Sequence, residues 1–529
     1  MFDTLIQGGQ IVDGTGSPWF PGDVGIAGDR IAAIGNLAGA KTCRRIDAAG
    51  KIVCPGFVDA HAHSDLTILA NRGAVSSLYQ GVTTEIAGQC GISLAPVAPN
   101  CRALIERSVA STSPGVQLDW TTCADFLERV AEGTAINIGI QAAHGMLRRV
   151  VLGMENRRPT EDELRALERV VAEALDAGML GLSFGLEYFP GSAAEFEELR
   201  RLCAVAAARG KLTSWHVRNR DRHFVEAIEE ALAATQQAGA ALQLAHLSAK
   251  PGSSPRAWNR VMELVRLARA QGQDVQCDMI PYGVGPGLLS AILPAWATQG
   301  SPAEITARLR DPQARQKMMA DCERYWLLFY YRQWDKLTLA ASRAHPEWIG
   351  LTFREIGQAA GKDPFECVYD LLADEGEGRD NVWINGVLFT EGDVGEWIQD
   401  PLFSIASDGL TTRDSGPWRT ITNHPGSYGW APRVIETYVR ERRTLRLEEA
   451  IRKMTSQPAA RWGLLDRGVL RAGLKADVIV FDAARFRTRA TYARPHIYAE
   501  GMEYVFVNGR LAFEAGAPTG ILAGETLRR

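Results

Sequence analysis

The sequence predicts an α/β protein: a (β/α)8 barrel of the TIM type with a small β-sandwich domain formed by both chain ends. Two observations support this fold class. From Lys51 onward, short apolar runs alternate with helical patterns, which is typical of βα units around a parallel sheet. Towards both chain ends, short strand patterns are separated by glycine-rich turns.

The same patterns divide the chain into three regions. Residues 1–54 and 467–529 are expected to form the amino-terminal and carboxyl-terminal parts of the β-sandwich. Residues 55–466 are expected to form the barrel, with an insertion at about 286–393 that is rich in Trp, Tyr and Arg. We expect this insertion to lie over the barrel mouth. In the amino-terminal part, Gly28-Asp29 predicts a two-residue hairpin turn between short strands.

Eight short runs are candidates for the barrel strands because they are mostly apolar and bounded by turn or polar residues. They are Ile52–Asp59, Thr83–Ala87, Ala135–Ala142, Gly181–Phe184, Lys211–His216, Ala241–His246, Asp274–Met279 and Leu402–Ser407. Eight strands with helices between them make a barrel the natural architecture.

The helical patterns between these strands carry recognisable ends. The clearest helix is predicted at Thr160–Ala177, where Thr160 and Glu163 form a capping box and a glycine follows the last turn. Val225–Ala238 and Pro255–Gln271 follow the same plan, and each is also closed by a glycine.

Composition excludes several classes of protein. The chain has 529 residues, 46% hydrophobic and 23% charged, with a net charge of −4, so nothing favours nucleic acid or an anionic membrane as a partner. No signal-peptide pattern or bilayer-length apolar run is evident, so we expect a cytoplasmic protein. The nine cysteines are scattered and odd in number, which favours free, mostly buried thiols over a disulfide framework. The sequence does not indicate an oligomeric state.

A His-x-His pair follows the first predicted barrel strand. In an extended chain, His61 and His63 direct both imidazoles to one face, and Asp59 and Asp65 place carboxylates nearby. Two imidazoles directed the same way at the carboxyl end of a strand suit a metal ion. Two polar residues at an ordinary strand end would give the same pattern.

Four further residues of types that bind metals lie at or just after the ends of later strands. Cys90 lies between two glycines after the second strand, where a thiolate would be a strong zinc ligand and a buried structural cysteine is the alternative. His216 and His246 end the fifth and sixth strands. Asp408 follows the last strand, where it could ligate a metal and transfer protons, or serve as a turn or N-cap residue. Because active sites of this fold gather at the carboxyl ends of the strands, these residues together predict a metal site there.

Further polar residues are candidates for contacts with a substrate. Arg413, just past Asp408, carries a planar guanidinium that could bind a carboxylate, or could form a surface ion pair. Tyr188, Tyr282 and Lys250 also follow predicted strands and could line the pocket.

One rival motif points to a serine nucleophile. Gly181-Leu182-Ser183-Phe184-Gly185 matches the Gly-x-Ser-x-Gly elbow, which requires a strand before the serine and a helix directly after it. Here the serine falls inside the predicted strand and a loop follows, so the context disfavours this reading. The chain contains no phosphate-loop motif and no CxxC.

The order of these motifs carries a resemblance to a known family. The motifs are Val58-Asp59-Ala60-His61-Ala62-His63-Ser64-Asp65, Gly88-Gln89-Cys90-Gly91, Gly181 to Tyr188, His216, His246 and Ser407-Asp408-Gly409. The chain resembles the N-acyl-D-amino-acid deacylases, or D-aminoacylases, a branch of the amidohydrolase superfamily. The resemblance covers essentially the whole chain and is weakest across the insertion.

The resemblance implies zinc-dependent hydrolysis of the amide bond of N-acyl-D-amino acids, a class of small-molecule substrates, with one or two zinc ions per subunit. The products would be a carboxylate and a D-amino acid. The implied ligands are Cys90, His216 and His246 for a tightly held zinc, His61 and His63 for a weaker one, and Asp408 beside both. Asp408 is also the implied general acid and base.

Two residues depart from the family pattern. Glu187 occupies a position that is often apolar, so it is a candidate for touching the metal or changing substrate preference. Lys250 lies four residues after His246, whereas family members often place a lysine two residues after that histidine.

Two alternative functions remain. One is another amidase of the superfamily, acting on cyclic amides or isoaspartyl dipeptides, which a bridging lysine in place of Cys90 would favour. The other is a non-catalytic metal-binding barrel, which the presence of Asp408 disfavours.

Overall fold

The computed structural model describes residues 1–153, 155–321, 323, 326–420 and 424–529. Cys322, one of the thiols expected from the sequence, lies outside the described residues. The other eight cysteines are free, and all but Cys43 are buried. Among the described helices, none combines the length and hydrophobicity that crossing a bilayer requires.

The strands follow the chain in four groups. The first contains β1 (Phe2–Ile11), β2 (Phe20–Ala27), β3 (Arg30–Gly35), β4 (Thr42–Asp47) and β5 (Ile52–Pro55). The second contains β6 (Phe57–Asp59), β7 (Val82–Ala87), β8 (Asn137–Ile140), β9 (Ala142–Ala143), β10 (Gly181–Gly185), β11 (Leu212–His216), β12 (Leu242–Leu244) and β13 (Val275–Met279). The third contains β14 (Val284–Leu288), β15 (Leu337–Ala341), β16 (Trp383–Val387) and β17 (Phe403–Ile405). The last contains β18 (Val478–Phe481), β19 (Met502–Val507), β20 (Arg510–Glu514), β21 (Ala517–Pro518) and β22 (Thr526–Leu527).

Most α-helices lie between the strands of the second and third groups or directly after them. The first eight are α1 (Val75–Tyr79), α2 (Arg102–Thr112), α3 (Cys123–Ala131), α4 (His144–Leu152), α5 (Glu161–Asp176), α6 (Phe196–Ala207), α7 (Phe224–Ala238) and α8 (Ala257–Ala270). The others are α9 (Pro302–Arg310), α10 (Pro312–Ala320), α11 (Phe353–Ala360), α12 (Pro364–Glu375), α13 (Glu391–Trp397), α14 (Gly426–Arg433), α15 (Leu447–Met454) and α16 (Ser456–Arg461).

The helix signals read from the sequence are confirmed where they are local. Helix α5 begins after Thr160, whose hydroxyl accepts from the Glu163 backbone, and the Glu163 carboxylate accepts from the Thr160 backbone in return. Helix α7 ends at Gly239 in the left-handed conformation that glycine adopts without strain. These capping contacts satisfy backbone groups that the helix leaves unpaired.

A nine-stranded sheet contains strands from both chain ends. Its order is β21-β20-β19-β18-β5-β1-β2-β3, with β4 beside β1. The pairing of β18 with β5 joins the two ends antiparallel, with Val480 opposite Val53. Strands β2 and β3 pair Ala27 with Arg30, so the predicted hairpin turn at Gly28-Asp29 is confirmed.

The central strands pair in parallel in two sheets. One has the order β17-β13-β12-β11-β10-β9, and the other has the order β22-β8-β7-β6. Strand β9 follows β8 after a single residue, so the two sheets meet along the third predicted barrel strand. A parallel bridge between Ala62 and Gly409 links the segments after β6 and β17. The carboxyl ends of these parallel strands therefore gather at one edge.

The first predicted barrel strand differs from the structure. Ile52–Asp59 is not one strand, because β5 pairs with β1 and β18 whereas β6 pairs with β7. Gly56 stands at the change of sheet, where a Cβ atom would lie 2.2 Å from the Thr83 side chain. A run of apolar residues cannot reveal this change of partner, because both strands are fully buried.

The insertion forms a layer of its own between β13 and β17. Its strands pair antiparallel in the order β14-β16-β15, and helices α9–α12 accompany them. The ring of Trp326 packs tightly on this sheet, because a Cβ atom at Gly287 or Gly386 would lie 2.2 or 2.3 Å from it. The two glycines therefore make room for a tryptophan that also reaches the site described below.

Candidate metal centre

Four groups that could bind a metal meet where the parallel strands end. The ligand atoms of His61, Cys90, His246 and Asp408 all lie within 4.8 Å of one another. These residues follow β6, β7, β12 and β17, so one edge of the central strands supplies the whole cluster. The three ring or thiol ligands are buried and the Asp408 side chain is 11% exposed.

Cys90 is the centre of the cluster. Its Sγ lies 3.4 Å from His61 Nε2, 3.3 Å from His246 Nε2 and 3.4 Å from His216 Nδ1. Zinc binds sulfur at about 2.3 Å and imidazole nitrogen at about 2.1 Å, so a tetrahedral site separates such donors by about 3.5 Å. The observed spacings fit that geometry.

The other two predicted ligands complete the group. Asp408 Oδ1 lies 3.3 Å from His63 Nε2 and 3.5 Å from His61 Nε2. The structure therefore brings all six predicted metal ligands together, with Cys90 among three imidazoles and Asp408 between two. Thiolate, imidazole and carboxylate form the donor set that zinc prefers in proteins.

Three of the candidate ligands lie on strained backbone. Cys90 has a φ of 54°, His246 of 33° and Asp408 of 49°, in a region that residues other than glycine rarely adopt. Each such residue costs on the order of 1–3 kcal/mol and persists only where the surroundings hold it. Strain at three ligands of one cluster is typical of a functional site.

Neighbouring histidines favour the thiolate of Cys90. Burial raises the pKa of this thiol, but His61 and His216 lower it by more, so the net pKa lies well below the usual value. Burial likewise raises the pKa of Asp408, and the hydrogen bond from His63 with the nearby His61 reverses this effect. Both groups are therefore held in the anionic form that binds a cation.

The histidines differ in their electrostatic surroundings. Burial lowers the pKa of His63, but hydrogen bonds to Asp408 and Cys90 raise it to about 10. Burial and the Arg220 guanidinium hold the pKa of His246 well below its usual value, which keeps this imidazole neutral. Nη1 of Arg220 lies 2.9 Å from His246 Nδ1 and donates to its carbonyl oxygen at 2.8 Å.

Asp278 supports two of the ligands and was missed by the sequence reasoning. Its Oδ1 lies 3.1 Å from His61 Nδ1 and accepts from the His246 backbone at 2.7 Å. Gln243 donates to the other carboxylate oxygen at 2.8 Å. A carboxylate that holds the far side of a ligating histidine fixes the orientation of its ring. Asp278 is the second-to-last residue of the seventh predicted strand, and this position was the available signal.

Glu187 and Lys250, the two departures from the family pattern, form a buried ion pair. Lys250 Nζ lies 2.7 and 2.8 Å from the two carboxylate oxygens of Glu187, and His216 Nε2 lies 2.9 Å from Oε2. The indole of Trp326 also donates to this carboxylate. Glu187 thus contacts one member of the group, His216, through the ring nitrogen that does not face Cys90.

The charges of this pair follow from burial and mutual attraction. Burial raises the pKa of Glu187, but Lys250 and His216 lower it by more, so the carboxylate stays ionised. Burial lowers the pKa of Lys250 to about 8 even though Glu187 opposes the change. In the structure Glu187 and Lys250 contact each other. Their predicted contacts with a substrate stay predictions.

The other predicted substrate contacts lie at different distances from the cluster. Tyr188 lines the cavity at the metal group, with its ring centroid 4.7 Å from that of His216. Tyr282 is buried, packs on His424 at 5.1 Å between ring centroids, and lies under the Arg433 guanidinium. Arg413 donates through Nε to Asn71 at 2.8 Å.

Neither Tyr282 nor Arg413 is among the described residues that line the cavity at the metal group. Their assignment to a substrate carboxylate stays a prediction. His424, which the sequence places in the loop past Arg413 as a turn residue or a residue at the pocket edge, does line this cavity.

The rival serine has a structural role. Ser183 lies inside β10, and its Oγ accepts from the Gly91 backbone at 2.8 Å. Turns follow β10, not the helix that a nucleophile elbow requires. Ser183 therefore holds the loop of Cys90 against the end of β10.

The cavity over the metal group has a volume of about 50 Å³ and receives residues from the insertion. Pro286, Ala340, Trp383 and Asn385 face it from β14, β15 and β16. Sequence reasoning missed all four, because the insertion carries no motif. The insertion thus forms part of the cavity wall.

Comparison with known proteins agrees with this geometry. Residues 44–513 match the model of the amidohydrolase family. N-acyl-D-glutamate deacylase of Alcaligenes xylosoxydans xylosoxydans is 35% identical, over 100% of this chain and 96% of that one. D-aminoacylase of the same organism is 31% identical, over 100% and 98%.

A solved structure is also similar over the full length. It is N-acyl-D-glutamate deacylase from Bordetella bronchiseptica, complexed with zinc and a phosphonate inhibitor that mimics the tetrahedral intermediate of its reaction. It is 30% identical, covers 100% of both chains and has a TM-score of 0.83. The family model and the full-length identity show that this chain belongs to the amidohydrolase family.

Proposed function

We propose that this protein is a zinc-dependent hydrolase that cleaves the amide bond of N-acyl-D-amino acids. The observation that carries the proposal is the grouping of Cys90 with three imidazoles at 3.3–3.4 Å, with Asp408 within 3.5 Å of two histidines. This arrangement combines a zinc donor set with an adjacent acid–base group. The relatives described above bear the names of enzymes with this activity.

The proposal includes an architecture. We infer that β6–β13 and β17 form one (β/α)8 barrel, in which β8 and β9 are successive parts of the third strand. The parallel pairing and the bridge between Ala62 and Gly409 support this architecture. The clustering of ligands at the carboxyl ends of these strands also supports a barrel. Residues 1–54 and 467–529 would form the β-sandwich, for which the shared nine-stranded sheet is the support. The insertion would cover the barrel mouth.

The residues present fit zinc, with one or two ions per subunit. Cys90, His216 and His246 would hold the tighter ion, and His61, His63 and Asp408 would hold or adjoin the weaker one. When bound, zinc supplies a Lewis acid that lowers the pKa of water from about 15.7 towards about 7 and polarises a carbonyl oxygen.

Asp408 moves the protons of the reaction. Its carboxylate takes a proton from the attacking water and returns it to the nitrogen of the leaving amine. The lowered pKa of Asp408 keeps it ready to accept that first proton. His63, 3.3 Å away, keeps the carboxylate directed into the cavity.

The cavity wall positions the amide. Tyr188 and His63 both face the cavity, so either can approach the oxygen on which charge develops. Neither Arg413 nor Tyr282 is among the described residues that line the cavity, so binding of a substrate carboxylate by them would require the loops after β17 and β13 to move. The role of the residues that line the cavity is to hold the substrate amide next to the attacking water.

A substrate screen tests the proposal. The zinc-loaded protein should hydrolyse N-acyl-D-amino acids and leave the L-enantiomers nearly untouched, and a chelator should abolish turnover until zinc is restored. The same preparation should be offered cyclic amides and isoaspartyl dipeptides. Turnover of those compounds alone would replace the proposal by the other amidase activity, and no turnover of any compound would favour a non-catalytic metal-binding protein.

A further inference from the structure

A second, larger cavity adjoins the metal cavity. It has a volume of about 340 Å³, and four residues line both cavities: Cys90, Ile92, Tyr188 and Trp383. Its other walls come mainly from helices α2 and α4, from the turns after β10 and from the insertion. The two cavities therefore meet beside the central thiol.

The metal cavity cannot hold a whole substrate. Its volume is only about 50 Å³. Cavities that bind small molecules usually measure about 300–1,000 Å³, a range that includes the larger cavity. A substrate whose amide lies at the metal group must extend beyond it.

The position of Asp408 decides which end of the substrate enters the larger cavity. Asp408 lines the metal cavity and a small cavity beside Arg220 and His246. It is not among the described residues that line the larger cavity. Because Asp408 gives a proton to the leaving amine, the amino-acid part must stay on its side. The acyl group then points past Tyr188 into the larger cavity.

The walls of the larger cavity are mainly apolar. Aliphatic side chains face it from three directions: Leu94, Leu104, Ile105, Leu288, Leu293 and Ile305. Side chains of this kind bind hydrocarbon by removing it from water.

The charged residues of the wall are paired: three arginines contact other wall groups, and Glu187 pairs with Lys250. Arg107 pairs with Glu377 at 2.8 Å, and Arg149 donates to the Phe189 carbonyl at 3.3 Å. Arg379 donates to the Pro302 carbonyl at 3.1 Å. These contacts tie the guanidinium groups to the wall and leave the aliphatic side chains to meet a ligand.

We propose that the larger cavity is an acyl-chain site and that the preferred substrates are N-acyl-D-amino acids with a long aliphatic acyl group. The proposal rests on the function proposed above and specifies its substrate class. An acetyl group would leave the larger cavity unfilled, whereas an aliphatic chain would bury its methylenes against the aliphatic wall.

A chain-length series tests the site. With one D-amino acid held constant, acetyl, butanoyl, hexanoyl and octanoyl derivatives are compared on the zinc-loaded protein. Each fully buried methylene is expected to raise kcat/KM about fourfold. Across the series the gain should reach at least about 50-fold. A flat or falling series would overturn the acyl-chain site while leaving the deacylase function intact.

Product binding provides a readout without turnover. Octanoate should bind the zinc-loaded protein more tightly than acetate by at least about 50-fold in calorimetry. If no N-acyl-D-amino acid is hydrolysed, the proposed function fails, and this measurement still decides whether the cavity holds an aliphatic chain. Equal affinities would overturn the site.

Filling the cavity should separate long from short substrates. Ala291→Phe places a ring in the buried wall and Ala103→Phe places one at an exposed position of α2 that also lines the cavity. Each should lower kcat/KM for the octanoyl substrate at least about tenfold and change it less than about twofold for the acetyl substrate.

The matched control is Ala110→Phe. Ala110 is exposed on α2 and is not among the described residues that line the larger cavity. This variant should leave both substrates unaffected. Ala103→Phe keeps the test valid should the buried variant fail to fold. Equal losses on both substrates, or no loss on either, would overturn the proposal.

Discussion

Cys90 is the residue on which the contacts of the metal group converge. Its thiol contacts three imidazoles, and two of them, His61 and His216, lower its pKa by more than burial raises it. For Cys54, another buried thiol, burial raises the pKa well above its usual value. The surroundings, not the residue type, therefore distinguish Cys90 from a core cysteine.

Cys90→Ala should remove zinc binding. We expect the affinity to fall by more than the about 10–100-fold that loss of a supporting partner costs, since a direct ligand is removed. Elemental analysis and activity are the measurements. Cys203→Ala, a change at an equally buried cysteine in α6, is the control and should retain zinc. A fully loaded Cys90→Ala protein would contradict the assignment.

Asp408→Asn should separate chemistry from metal binding. The amide can still face the metal but cannot accept and return a proton, so kcat should fall by about 10²–10⁴-fold. Zinc content should remain substantial, because the thiol and imidazole ligands are unchanged. Asp414→Asn, at an exposed site further along the loop, is the control. A variant with nearly normal kcat would rule out Asp408 as the acid–base group.

Glu187→Gln tests whether this carboxylate positions His216. The amide keeps the shape but removes the charge that faces His216 and Lys250, so zinc affinity should fall about 10–100-fold. Competition with a chelator measures it. Glu198→Gln is a matched control, because Glu198 is also buried and contacts His144 at 2.8 Å outside the metal group. Equal losses in both variants would indicate general damage to the core.

At the scale of elements, the loop after β7 is pressed against the end of β10. A Cβ atom at Gly185 would lie 1.8 Å from the Cys90 carbonyl oxygen, and one at Gly91 would lie 2.8 Å from the Gly185 backbone nitrogen. The glycines therefore permit the close approach that sets the position of the thiol. Such an approach joins two βα units and is required for the site.

Gly185→Ala should displace the loop of Cys90. We expect zinc affinity to fall at least about tenfold, because misplacing one ligand weakens the whole group. The comparison is Gly73→Ala, where the nearest atom to a new Cβ would lie 3.7 Å away. Titration with zinc distinguishes the two variants. Unchanged affinity in Gly185→Ala would show that the loop adapts without cost.

At the scale of the whole molecule, a buried polar network joins the nine-stranded sheet to the central strands. Asp477 accepts from Arg467 at 2.7 Å, from Asn137 of β8 at 3.0 Å and from the Asn508 backbone at 2.7 Å. Asn508 donates in turn to Asn137 at 2.7 Å. Because buried polar groups must be paired, this network favours one docking of the two parts.

Arg467→Met should destabilise the molecule without touching the site. It leaves the Asp477 carboxylate buried without its cation, which costs about 3–5 kcal/mol in the free energy of unfolding. Urea denaturation measures the loss. Arg200→Met removes an exposed pair with Glu197 and should cost less than about 1 kcal/mol. A similar small loss in both would mean that the network contributes little to stability.

Local features of this molecule could be predicted from the sequence because neighbouring residues determine them. The capping box at Thr160 and Glu163 and the turn at Gly28-Asp29 each depend on a few adjacent residues, and the structure contains both. The strand ends were also recognisable, since apolar runs stop at polar residues. Those ends carried the six metal-ligand candidates, which is why the grouping of the site could be expected.

Only the tertiary structure decided the contacts between distant segments. The contact between His61 and Asp278 spans 217 residues, and that between Trp326 and Glu187 spans 139. No local pattern encodes either, because a carboxylate in a strand or a tryptophan in an insertion has many possible partners. The sequence determined the chemistry available at the strand ends. Folding decided which side chains support it and which cavity adjoins it, since packing brings together residues that the chain keeps far apart.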